Sequence, residues 1–379
     1  MTGPSYPAAR GVAQTVHEHF ARHVAEARAR GETSTADVPD AAAVESMVDA
    51  AFWASLRREE SYVPKISLAF LTPDQTDHPL MFEHALTLDS AALVRLAPAV
   101  ERPGIHLGVS RNSGDLRVWG TAHTIPPLCL VIEVAAPGLL VVKHHRGEET
   151  AKYLNVAVLE GDRIKIVDEQ APSVPDCPSL LASLVGFETS ALPNHSVNML
   201  VQLAVSMRAH GRGGSLLLVP AESQAWLESI VQPMHYAVTP PFAQLAELNR
   251  EKPEDPRKRL WQEAVASVVE SIAGLTAVDG ATVMTTGYEV LAFGVKIARR
   301  KGSPQVEQVT VTEPIRGGAA ALVHPTQLGG TRHLSAAQFV HDQRDAVALV
   351  ASQDGRFTVF AWSACEVMVH AHRVEALLL

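Results

Sequence analysis

Two short segments carry residue types that could handle phosphate. The first is Ala277-Val278-Asp279-Gly280-Ala281, an acidic residue and a glycine ahead of an apolar, strand-like run. A carboxylate at a strand edge, beside a residue without a side chain, can hold a hard cation while the backbone approaches a sugar or phosphate closely. Asp-Gly is also a common turn pair, and taken alone the segment reads as one. The second is Gly329-Gly330-Thr331-Arg332-His333-Leu334-Ser335, a glycine-rich loop that runs into an apolar helix. Glycines allow tight approach to phosphate oxygens, and the N-terminus of a helix favours negative charge. Thr331 adds a hydroxyl, Arg332 a planar fork of donors and His333 a further ring nitrogen. A capped helix start with surface Arg and His is the plainer reading of the same residues.

Other candidates carry less. His17, His19 and His23 share one helix, and the i,i+4 pair His19/His23 could chelate a metal, but no glutamate follows His19 in the HExxH arrangement. They read as surface histidines. The basic run Lys143-His144-His145-Arg146 reads as a solvated hairpin turn, with a phosphate-contacting loop as the alternative. His123, His144 and His145 are expected in loops. Cys129, Cys177 and Cys365 are isolated and show no CxxC spacing, so neither a disulfide framework nor a zinc site is suggested, and a reducing cytoplasm fits best.

The elements that must position these residues fall into two groups. Residues 11–30 and 41–58 repeat apolar side chains at helical spacing, among them Val16, Phe20, Val24, Val44, Met47 and Val48. Residues 65–169 change to short Val-, Ile- and Leu-rich runs, at 66–71, 128–134, 139–142 and 163–167, separated by the turn signals 112–115, 137–138 and 160–162. This half reads as an α+β domain with a mainly antiparallel sheet. Residues 170–178 hold three prolines and are placed as the linker. A helical segment at 180–187 could belong to either side. Residues 194–208 form an apolar-faced helix with Asn194 or Ser196 as its cap, followed by glycines and the buried strand 215–219. A helix at 260–272, strands at 281–284, 290–297, 346–351 and 357–361, and a helix at 335–342 complete the second half, while 251–256 reads as a solvated loop. The fold class is α/β (α+β): an N-terminal α+β domain over residues 1–178, then a domain with a mixed central sheet flanked by helices over 179–379.

The bulk properties agree. A chain of 379 residues exceeds what one core usually serves, and 47% hydrophobic against 19% charged residues is ordinary for globular proteins. The formal charge of −9 disfavours unspecific nucleic-acid binding. No run approaches the ~20 apolar residues of a membrane span, and no signal peptide is legible, so a cytoplasmic protein without a membrane partner is expected.

The two segments also have an order. A helix ending in basic residues and glycine precedes a strand (residues 199–219); then come Asp279-Gly280-Ala281, Gly330-Thr331-Arg332-His333, and a Val-rich strand ending in Ser352. This half resembles the diadenylate cyclase (DAC) domain of the DisA type, whose signatures are Asp-Gly-Ala and, after Gly-Thr, Arg-His-Arg. The N-terminal half is similar to the sensor domains fused to such domains in bacteria, of the kind called DACNV. The resemblance implies condensation of two ATP into cyclic di-AMP with release of two pyrophosphates, using Mg2+ or Mn2+, in a face-to-face homodimer or higher homo-oligomer. It implies Asp279 as metal ligand and catalytic residue, Arg332 and His333 as catalytic phosphate holders, and Gly280, Ala281, Gly330, Thr331 and Ser352 as nucleotide contacts. Two positions depart from the pattern: Leu334 replaces the third motif arginine, and Gln353 stands where an acidic residue often follows the serine. The resemblance therefore leaves a second reading open, a protein that binds ATP or a cyclic dinucleotide without efficient turnover, as well as a third, a DAC-like half that only mediates oligomerisation. Neither the DNA-binding helical region of DisA nor the membrane helices of membrane-bound cyclases are found in the sequence, so input is expected through residues 1–192 or a partner.

Overall fold

Helix α1 (Pro7–Ala29) places Val12, Val16, Phe20 and Val24 on one buried face, and its proline sits in the first turn, where no intrahelical N–H is needed. Helix α2 (Ala41–Ser55) is capped by Asp40, whose carboxylate accepts the Ala43 N–H at 2.7 Å. Strands β1 (Ser67–Phe70) and β2 (Leu80–Thr87), helix α3 (Ser90–Leu96), and strands β3 (His106–Asn112), β4 (Asp115–Ala122), β5 (Leu130–Ala136), β6 (Leu139–His145), β7 (Tyr153–Glu160) and β8 (Arg163–Ile166) follow. They form one sheet in the order β2-β4-β3-β1-β5-β6-β7-β8. Only β1 and β3 run parallel; the other neighbours are antiparallel, as expected from the turn signals. Leu68, Leu107, Ile132 and Val142 pack with Phe20 and Met47, while residues of opposite parity, Leu71, Trp119 and Val131, form a separate cluster.

This computed structural model describes residues 5–32, 35–58, 63–112, 114–145, 153–168, 199–251 and 258–379. The chain divides into two compact units, Met1–Val167 with Leu379, and Asp168–Leu378. The expected linker at 170–178, the helical segment at 180–187 and the caps Asn194 and Ser196 lie outside the described residues, as does most of the loop at 251–256.

One expectation needs correction here. Lys143, His144 and His145 are strand residues of β6; Lys143 and His144 pair with both β5 and β7, His145 with β7, and Lys143 and His144 are buried. The Lys143 ammonium meets the Glu133 carboxylate on β5 and stands 4.7 Å from the Tyr153 ring centroid. A buried lysine is tolerable when it has such a counter-charge, so residues 143–145 continue the strand instead of turning, while Arg146 lies outside the described residues.

The second unit comprises α4 (Met199–Ala209), β9 (Gly214–Val219), β10 (Tyr236–Phe242), α5 (Gln244–Arg250), α6 (Lys258–Thr276), β11 (Ala281–Thr285), β12 (Val290–Val295), β13 (Val309–Thr312), β14 (Ala321–Val323), α7 (Thr331–Asp342), β15 (Val347–Ala351), β16 (Phe357–Ser363) and β17 (Met368–Arg373). Its nine-stranded sheet has the order β10-β12-β11-β9-β15-β16-β17-β13-β14. Leu216, Leu218 and Leu349 pack with Leu203, Val265 and Ile272 of α4 and α6; Leu217, Ala348 and Val350 pack with Ala336, Phe339 and Val340 of α7. Helices thus cover both faces, which explains why β9 is an unbroken apolar run. The architecture is α+β, as expected, and both sheets are mixed, the first by its single parallel pair β1/β3. Among the described residues, no helix is long and apolar enough to cross a membrane.

Candidate functional site

In the second sheet β9 runs parallel to β11 and antiparallel to β15, and β12 runs antiparallel to β11. The starts of β9 and β11 therefore meet the ends of β12 and β15 at one end of the sheet. A cleft of about 660 Å3 opens there beside the start of α7. Asp279, Gly280, Ala281, Gly330, Thr331, Arg332, His333 and Ser352 all line it, so segments some 50 residues apart in sequence share one surface.

Asp279 follows the last turn of α6, held by the Val278 N–H bonded to the Leu275 carbonyl. Gly280 then takes φ +125, and a Cβ built on it would stand 2.5 Å from the Gly294 carbonyl carbon and 2.6 Å from the Val295 oxygen. Only a residue without a side chain lets this turn lie against the neighbouring strand. Ala281 pairs with Val295, and the next residue along, Lys296, places its ammonium 2.7 Å from the Asp279 carboxylate. The hydrogen bond and charge of Lys296, with a further contribution from the charge of Arg332, hold the Asp279 carboxyl below its usual range. Both partners are exposed to solvent.

Helix α7 starts at Thr331 with Gly330 as its cap, and no cap side chain bonds its first turn. A twelve-residue helix opening this way turns N–H donors and a partial positive charge toward the cleft. Thr331 is exposed and Arg332 half-buried. His333 is different: it is 2% exposed, its ring meets Phe360 edge-on at 6.0 Å, and burial lowers its pKa. It faces the cleft as a neutral imidazole, able to donate or accept one hydrogen bond but carrying no charge. Among the described residues its Nε2 has no hydrogen-bond partner, and neither does the buried Ser215 hydroxyl, which lines the same cleft. Leaving a buried polar group unpaired costs ~1–3 kcal/mol, so two such atoms at one cleft are suited to a polar ligand or to water.

The hairpin between β15 and β16 closes the site. The Ser352 N–H donates to the Arg356 carbonyl at 2.9 Å, the Gln353 amide donates to the Arg212 carbonyl at 3.4 Å, and Asp354 pairs with Arg356 at 3.3 Å. Leu334 is half-buried on α7. The donor set does not make a divalent-cation site by itself. Asp279 is already paired with an ammonium, Gln353 is neutral, and among the described residues no three His, Cys, Asp or Glu side chains are grouped so as to hold a metal.

Lys296 and Ser215 were not singled out from the sequence. A lone lysine at the end of the apolar run Val290-Leu291-Ala292-Phe293-Gly294-Val295 was the available signal, since a cation seldom closes a buried strand without a partner. Of the remaining histidines, His123 lies in a bend, as expected. His17, His19 and His23 are half-buried where a surface position was expected, and the His19 ring stands 4.1 Å from that of His23 and 5.5 Å from that of His144, because α1 packs over the sheet that holds His144. A second cavity of about 650 Å3 lies beside Arg300, Asp342 and Arg344; Asp342 accepts the Arg300 N–H and the Gln338 amide there.

Comparison with known families gives one match. A family model described as a probable sensor domain, DACNV, matches residues 33–123, the part of the first unit from α2 to β4. No curated protein matches the chain.

Proposed function

We propose that this protein belongs to cyclic-dinucleotide signalling, with a sensor domain in the first unit and a nucleotide-binding cleft in the second. The match to a sensor-domain family supports the first part. One observation carries the second: the two segments with phosphate-handling residue types, Asp279-Gly280-Ala281 and Gly330-Thr331-Arg332-His333, line a single cleft at a sheet end, beside a helix N-terminus, together with Ser352, a position the family resemblance implies as a nucleotide contact. The ligand is ATP or a cyclic dinucleotide. Arg332 and the first turn of α7 meet its phosphates, and Gly280 and Ala281 lie against the nucleoside.

Two forms of this reading differ in chemistry. As a divergent diadenylate cyclase, the protein would bring two ATP-loaded clefts face to face in a homodimer, so that the 3′-hydroxyl of one nucleotide attacks the α-phosphate of the other and pyrophosphate leaves. Mg2+ or Mn2+ would arrive with the triphosphate and would have to take Asp279 from Lys296. As a binding protein without turnover, it would hold the nucleotide as a signal. The pairing of Asp279 with Lys296, the neutral Gln353 and the loss of an arginine at Leu334 favour the second form.

The test is incubation of purified protein with ATP and Mg2+ or Mn2+, with separation of the nucleotides by liquid chromatography and mass detection, beside calorimetric titration with ATP and with cyclic di-AMP. Binding that Arg332→Ala lowers by about tenfold or more, without product, supports the binding form. Cyclic di-AMP made by the parent but not by Asp279→Ala establishes the cyclase. Absence of binding to either nucleotide removes both forms.

A further inference from the structure

The ion pair at the cleft points to the kind of ligand. This inference rests on the nucleotide-binding reading above and goes beyond it to what the cleft requires of its ligand.

Asp279 is the one carboxylate of the Asp-Gly-Ala turn, and the nearest cation to it belongs to the protein. Lys296 leaves β12 immediately after Val295, the residue paired with Ala281, so the strand pairing that positions Asp279 also positions the ammonium, 2.7 Å away. Gly280 permits this register, because a Cβ there would strike Gly294 and Val295. The second acid that could share a divalent ion is absent at Gln353, whose amide is turned to the Arg212 carbonyl, and Asp354 is engaged with Arg356. Lys296 and Arg332 together place two positive charges beside one carboxylate, and the polar groups of His333 and Ser215 complete the wall. A phosphodiester carries a single charge on two free oxygens and matches such a set. A triphosphate, with several charges on neighbouring groups, normally travels with a divalent ion that bridges them and a protein carboxylate.

We propose that Lys296 takes the place of a divalent cation at Asp279, so that the cleft binds a nucleotide phosphodiester, a cyclic dinucleotide, without metal. Lys296 holds Asp279 in place and presents its remaining N–H donors to a phosphate oxygen. Its role differs from that of Arg332, whose position on α7 does not depend on Asp279.

The experiment is calorimetric titration of the intact protein with cyclic di-AMP and, separately, with ATP, in EDTA and in excess Mg2+ or Mn2+, for the parent, Lys296→Met and Lys296→Arg. Circular dichroism and thermal melts confirm that each variant is folded; Lys296 is half-exposed, so the exchange disturbs no core. The expected result is parent affinity in EDTA within about twofold of that with metal, a loss of about tenfold to a hundredfold in Lys296→Met under EDTA, and most of the affinity kept in Lys296→Arg. Parent binding that disappears in EDTA and returns with Mn2+ overturns the proposal, and so does a folded Lys296→Met protein that binds as the parent does. Both of those results leave nucleotide binding itself standing. A folded parent that binds ATP but not cyclic di-AMP overturns the proposal and leaves nucleotide binding standing, whereas one that binds neither under any of these conditions removes the underlying reading along with the proposal.

Discussion

The guanidinium of Arg332 lies against Gly213: a Cβ built on that glycine would stand 2.8 Å from Nη1 and 3.2 Å from the Ala351 oxygen. Gly213 has φ +70, a conformation that L side chains rarely adopt, and it immediately precedes β9. The glycine thus does two things at once. It makes the turn from α4 into the sheet, and it leaves the space that the Arg332 side chain occupies beside the cleft. Gly213→Ala is expected to displace Arg332, lowering affinity for the proposed nucleotide ligand by about tenfold and stability by ~1–2 kcal/mol. Calorimetry and a denaturant titration measure the two effects; unchanged affinity would show that Arg332 reaches the ligand from another position.

Gly280 is held more tightly. A methyl group there meets backbone on Gly294 and Val295, not the end of a flexible side chain, so β11 and β12 must separate to admit it. Gly280→Ala should lower the unfolding free energy by ~2 kcal/mol or more and abolish the proposed nucleotide binding along with it. A variant as stable as the parent would contradict the close approach of the two strands.

Acid should weaken the first unit through His106. Its ring is buried between the Ser67 hydroxyl at 2.7 Å and the Tyr153 hydroxyl at 2.9 Å, and burial, reinforced by the charge of Lys143, depresses its pKa from 6.5 to about 4. The unfolded chain therefore takes up a proton that the folded chain refuses. This contribution to stability is fully present above pH 6.5 and falls as the pH drops toward 4, by up to about 3 kcal/mol. His372 in the second unit is likewise held to about 4 by burial, so the parent's slope contains both groups. The difference between the parent and His106→Gln isolates the first: melts between neutral pH and about pH 5 should give a shallower loss in the variant. Equal slopes would mean that His106 titrates near its ordinary value.

Thiol reactivity separates the described cysteines. Cys129 is fully buried and burial raises its pKa, whereas Cys365 is exposed. Cys177 lies outside the described residues, so the clean background is Cys177→Ser. In that background iodoacetamide should modify Cys365 under native conditions and Cys129 only in denaturant, as read by peptide mass spectrometry. Native modification of Cys129 would place it at an accessible surface.

The elements of the second unit were largely legible because each has a strong local pattern. Leu216-Leu217-Leu218-Val219 cannot be satisfied on one face, so it had to be a strand covered on both. The turn at Asp279-Gly280 announced itself through residues whose backbone preferences are narrow, whereas α7 begins at Thr331, four residues before the 335–342 expected, with Gly330 as its cap. Strand β10 was missed because Tyr236-Ala237-Val238-Thr239-Pro240-Pro241-Phe242 carries two prolines; it lies at the edge of the sheet, where a missing N–H costs little. The run Lys143-His144-His145 was misread because charge alone does not show that Glu133 stands on the adjacent strand.

By itself the sequence determined which residues carry phosphate-compatible chemistry and where the glycine turns fall, since side-chain chemistry and glycine's φ,ψ freedom are properties of a few neighbouring residues. Tertiary structure decided the rest: that Asp279 and Arg332 share one cleft, that His333 is buried and neutral there, and that Lys296 pairs with Asp279. Those three facts depend on strand order and register, which bring together segments with no local reason to meet, and on the burial that only the assembled sheet and helices create.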